Sequence, residues 1–213
     1  MIEEGKMIKE ALKYYADHPV WIFVLVGAVL LTFFICLKAA QASSRRYAAN
    51  EKTIKKIKEE NELCNEFAIL TESLIASAEA DRLFKGVALN LQKRVADKDD
   101  IMAEFDALTQ EQKEIYALYT VIDDGGNRLS GFFENCTKPL TDVALEAIKR
   151  LLDSEAVEVF KNEFDAFDDD NENVSFIPEE IKKLDASFKE LAPIDSICTK
   201  AGEFIKSAPE KFI

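Results

Sequence analysis

Carboxylates and thiols are the groups in this chain with enough reactivity to do chemistry, and their spacing limits what that chemistry is. The stretch "DAFDDDNENVSFIPEE", Asp165 to Glu180, holds seven carboxylates and no basic residue. Laid on an EF-hand calcium loop, Asp168, Asp170 and Glu172 take positions 1, 3 and 5, Val174 offers a carbonyl at 7, and Glu179 falls at 12. The pattern breaks at position 6, where the sharp turn needs glycine and Asn173 stands. It breaks again at Ser175, where an aliphatic residue is customary, and Pro178 stiffens the exit. The favoured reading is a solvated acidic loop joining two helices, with Asp165, Asp168, Asp169, Asp170 and Glu172 as an acidic interaction surface. Calcium held by Asp168, Asp170, Glu172 and Glu179 is the lesser alternative.

Nucleophilic catalysis has little to build on. The single histidine, His18, precedes the apolar run near the start of the chain, so no Cys-His, Ser-His or HExxH arrangement is available to the rest. The four cysteines, Cys36, Cys64, Cys136 and Cys198, are widely spaced and form no C-x-x-C pair. Cys64 and Cys198 read as small core hydrophobes. No Gly-rich phosphate cradle follows a strand. The expectation is a protein without catalytic residues, cofactor or resident metal, and not an enzyme.

The elements that carry these groups are helical. Seven glycines and five prolines are few for 213 residues, and apolar residues recur at three and four spacing. In "HPVWIFVLVGAVLLTFFICLK", the eighteen residues Val20 to Leu37 are uncharged and apolar all round. As a helix they span about 27 Å, close to a thin hydrocarbon layer. A cleaved signal peptide is the rival, with Ala40 and Ala42 preceding Ser43, but the leading segment has three lysines against four acids where a signal peptide needs a positive start. Lys6, Lys9 and Lys13 precede the run, whereas Lys38, Arg45, Arg46, Lys52, Lys55, Lys56 and Lys58 follow it, which puts the C-terminal side in the cytoplasm and the N-terminus outside. Reduced thiols agree with that compartment.

The organisation expected is all-α. A short amphipathic segment occupies 1–18, a single transmembrane helix 19–38, a helical stalk 39–62, and an acidic multi-helix globular domain 63–213. In that domain Leu83, Val87, Leu91 and Val95 line one helix face, and Thr109 with Gln112 forms a capping box opening a helix that Gly125 and Gly126 close. Thr141 is expected to cap a helix running through Leu152, and the next runs to Phe167 with Phe160 and Phe164 inward. Pro178 suits a first helical turn, and Ile194 to Ser207 forms a last helix. Of the adjacent rings Phe132 and Phe133, packing is the default for both, with one free to face a neighbour.

Beyond residue 59 there are thirty-four acidic and seventeen basic residues. Such a body repels phosphate backbones, so no direct nucleic acid binding is expected, whereas a basic protein partner is electrostatically permitted and a homo-oligomer stays open.

The order of "LTQEQKEIYALYTVIDDGGNRLSGFFENCTKPL", the acidic loop, "LDASFKEL" and a closing "EFIKSAPEKFI" resembles the bacterial DNA-mimic protein family. Phe132, Phe133 and Asn135 match its F-F-x-N element, and Asp185 with Phe188 resembles its later D-x-x-[FY]. Gly125 and Gly126 correspond to its Gly pair, two residues earlier than in the family, and Leu129 stands in place of an aromatic. The resemblance covers roughly Glu60 to Ile213. It implies an all-helical fold whose carboxylates stand in for DNA phosphates before a basic DNA-binding protein.

Overall fold

The computed structural model describes residue 51 and residues 53–125, 128–167 and 178–213. Every regular element among them is helical, so the all-α expectation holds. By its internal contacts the chain divides into two units, Met1–Ile57 and Lys58–Ile213. In the first, described residues 53–57 are helical and exposed. The segments 1–18 and 19–38 and the start of the stalk lie outside the described residues. Among the described residues no helix is long and apolar enough to cross a membrane.

The second unit opens with α1, residues 58–66 within this unit. There follow α2 (Glu72–Ser77), α3 (Ala80–Ala96), α4 (Ile101–Asp106), α5 (Gln110–Asp123), α6 (Leu129–Asn135), α7 (Leu140–Leu151), α8 (Ser154–Phe167), α9 (Pro178–Leu191) and α10 (Ile194–Ser207). A 3-10 turn, Pro209–Lys211, comes last. Helix α3 packs against α10 and α5, α5 against α7, α7 against α8, and α8 against α9, with α6 between α8 and α9.

Local signals explain many of the helix ends. At Thr109 the hydroxyl accepts from the Gln112 amide at 3.2 Å while the Gln112 side chain accepts from the Thr109 amide at 3.3 Å, so the capping box forms. Thr71 and Asp100 cap the short helices α2 and α4 in the same way, each accepting from the amide three residues on. On α3 the expected residues Leu83, Val87, Leu91 and Val95 are buried, as are Phe84, Gly86 and Ala88, because this helix is covered on more than one side. Thr141 departs from expectation. Helix α7 begins at Leu140, the amides of Leu140 and Thr141 are taken by the Thr137 carbonyl at 3.1 and 3.4 Å, and Thr141 is buried rather than capping.

Helices α3 and α10 approach closely at Gly202. A Cβ on Gly202 would collide with the Ala80 carbonyl, so glycine is required there for the helices to meet. Gly202→Ala is therefore expected to destabilise the fold by about 2 kcal/mol, read by thermal melting. At a helix position without such a neighbour the same change stabilises by about 0.5–1 kcal/mol. The sign of the effect is the test, and a gain in stability would refute the close packing.

Candidate functional site

Helices α6, α8 and α9 converge on a buried carboxylate. Asp185, on α9 and 8% exposed, accepts from the Ser130 backbone amide at 2.8 Å and from the Ser130 hydroxyl at 2.9 Å. Ser130 lies in the first turn of α6, where amides lack intrahelical partners. The local N-cap of α6 is Arg128, whose side chain has no acceptor and makes no capping bond. Asp185 thus caps α6 from another helix, and its negative charge sits at the positive end of that helix.

A second carboxyl lies close by. Glu163 on α8 is fully buried, and neither of its oxygens has a hydrogen-bond partner. Burial, then the charge of Asp185, then that of Glu134 push its pKa up to about 8, so it carries a proton at neutral pH. On the same face of α8, Phe160 joins an aromatic cluster. Its ring centroid is 5.1 Å from Phe133, 6.4 Å from Phe132 and 5.8 Å from Phe188. Phe133 also stacks on Phe167 at 5.6 Å.

Four of the residues that carried the family resemblance are accordingly brought together. Phe132, Phe133 and Phe188 meet through Phe160, and Asp185 fastens the helix that bears the first two. Both Phe132 and Phe133 are buried, at 0% and 7% exposure, so neither ring is left for a partner. Gly125 is buried in the turn after α5, where a Cβ would meet the Val121 carbonyl. Gly126 lies outside the described residues. Asn135 is exposed at the end of α6.

Of the acidic stretch, Asp165 is half-buried on α8, while Asp168, Asp169, Asp170 and Glu172 lie outside the described residues. Glu179 is exposed on α9 and paired with Lys182 at 2.9 Å. Among the described residues no group of three or more His, Cys, Asp or Glu is placed to hold a metal ion.

Two buried carboxyls escaped the sequence reading. Glu163 is one. Glu114 is the other, 1% exposed on α5, where Arg150 approaches it at 2.8 and 3.0 Å and Gln110 donates at 3.1 Å. The Arg150 Nε lies near Glu114 Oε2 for charge pairing but off the axis of an aligned hydrogen bond. The same guanidinium sits 5.4 Å from the Phe204 ring centroid. A signal existed for both in helical register: Glu163 falls three residues after Phe160, and Glu114 four before Leu118, on inward faces. Composition masked it, because acids are assumed exposed.

The thiols are subdued. Cys136 lies 3.7 Å from an Asp124 oxygen, and burial followed by the Asp124 charge pushes its pKa up to about 11. Burial likewise raises Cys198 and Cys64. All three stay protonated at neutral pH, a poor state for nucleophilic attack.

No protein-family model, curated protein or solved structure matches the chain. Architecture alone places it: an all-α domain built round a phenylalanine cluster, with one helix capped from another.

Proposed function

We propose that the protein is a single-pass, membrane-anchored domain facing the cytoplasm and working as a protein-interaction or scaffold module. The distribution of charge along the chain carries this reading: eighteen uncharged residues, a basic flank, then a body with thirty-four acidic against seventeen basic residues. What the body does with its side chains is consistent with it. Of the residues singled out by motif, Asp185, Phe132, Phe133 and Phe188 are spent on capping and packing, which leaves the exterior for binding. Exposed pairs such as Lys149–Glu146 and Lys182–Glu179 join neighbours on one helix and hold the fold by no more than about 1 kcal/mol each, so a partner can replace them at little cost.

A second reading, a DNA-mimic-type regulator that sequesters a basic DNA-binding protein, is favoured by the meeting of Asp185 and Phe188 with Phe132 and Phe133, the positions of the family resemblance. Against it, mimicry asks for roughly one negative charge per 1.7 Å of duplex axis, and lysines interspersed on the same helices dilute that density.

The test is recovery of partners by the full-length tagged chain from solubilised membranes, over about 0.1 to 0.5 M salt. Membrane proteins retained throughout are the expected result. Nucleic-acid-binding proteins lost as salt rises would transfer support to the second reading, and recovery of no protein at any salt would overturn both.

A further inference from the structure

A cavity of about 180 Å³ opens where the last turns of α5 and α9 meet the first turns of α6 and α10. Val121, Leu129, Phe188 and Ile197 give it apolar walls, and Asp185 lines it as well. For scale, an engineered cavity of about 150 Å³ lined by such side chains admits benzene. The apolar part of a guest is thereby limited to about one ring or a six-carbon chain.

Four charged residues border the space: Arg128, Lys189, Asp195 and Asp185. They do not count equally. The first three are exposed, where water and salt screen them, and Arg128 is already 3.5 Å from Glu134. Asp185 is buried, and a charge in that setting acts several times more strongly on a neighbour than one in water. Each of its oxygens accepts one hydrogen bond from Ser130, which leaves lone pairs for another donor. Phe188 lines the space as well, and an aromatic ring attracts a cation over its face, while the acidic surplus of the body raises the local concentration of cations around it.

We propose that this cavity binds a small organic ammonium ion, with its hydrocarbon part against Phe188, Leu129 and Ile197 and its cationic end at Asp185. The site does not depend on the interaction role proposed above. A free amine and the lysine side chain of a partner share the required chemistry.

The experiment uses the full-length chain in nanodiscs with methyl-labelled isoleucine and leucine, titrated separately with phenethylammonium, 3-phenylpropanoate, 2-phenylethanol and an N-acetyl-lysine amide. Phenethylammonium is expected to shift the methyl signals of Ile122, Leu129 and Ile197 saturably and to bind at least about tenfold more tightly than the carboxylate or the alcohol. Lys189→Gln, which removes an exposed repelling charge, is expected to tighten it about twofold to threefold. Equal or better binding of the lysine amide assigns the site to a protein side chain, and its failure beside a binding phenethylammonium assigns it to a free amine; either result supports the site. Tighter binding of the carboxylate, equal binding of all four compounds, or no shift at these methyls overturns it.

Discussion

Replacing Glu163 by methionine is expected to raise the unfolding free energy at pH 7 by about 3 kcal/mol and to flatten its dependence on pH. The carboxyl is fully buried without a hydrogen-bond partner, and its pKa rises from an ordinary 4.5 to about 8 in the fold. Between those two values the folded chain holds a proton that the unfolded chain releases. The stabilising share of this group is therefore complete below about pH 4.5 and is lost as the pH climbs through 8, at about 1.4 kcal/mol per pH unit. Methionine keeps the length of the side chain and removes both orphan oxygens. Glu163→Gln should flatten the pH profile too, with a smaller gain, because the amide keeps polar atoms without partners. Chemical denaturation at about pH 5, 7 and 8.5 reads both variants. Wild-type behaviour of both at every pH would mean that water reaches this carboxyl.

Asp185→Ala should have an effect of similar size and opposite sign, a loss of about 3–5 kcal/mol. It removes two charge-assisted bonds and leaves the Ser130 amide and hydroxyl buried without an acceptor. Ser130→Ala loses only the hydroxyl bond and should cost about 1–2 kcal/mol. The two carboxyls are also coupled, since the Asp185 charge is the second cause of the raised Glu163 pKa. In the wild-type background, removing Asp185 relieves that repulsion and recovers part of the loss. In the Glu163→Met background there is nothing to relieve, so Asp185→Ala should cost about 1 kcal/mol more there at pH 8. Strict additivity across the double-mutant cycle would show that the two groups do not feel one another.

What could be read in advance was local. The capping box at Thr109 and Gln112, the inward face of α3, the entry of α9 at Pro178 and the span of α10 each follow from residues within a turn or two of one another, and each is present. What could not be read depends on distance along the chain. Asp185 caps α6 through Ser130, fifty-five residues earlier in the chain, and no spacing rule relates the two. The fate of Phe133 turned on where α8 would dock, because its ring is covered by Phe160, Phe164 and Phe167. Thr141 misled because the backbone before it supplied the acceptor that a cap would have replaced. Glu163 and Glu114 were hidden by their charge, although their register on the helix was visible. The candidate acidic surface is the least legible part: of its five residues only Asp165 is among the described ones, as is only Glu179 of the calcium alternative, and no ion site is assembled among the described residues.

Anchoring underlies every proposal about compartment and partner, and extraction of membranes with alkaline carbonate probes it most directly. A hydrocarbon-spanning helix through 19–38 is retained by the bilayer against carbonate, whereas a peripheral attachment through the basic flank is released. Retention of the intact chain in the membrane pellet, with the acidic body open to protease only from the cytoplasmic side, is the expected result. Release into the supernatant, or a mature chain that starts at Ser43, would contradict it.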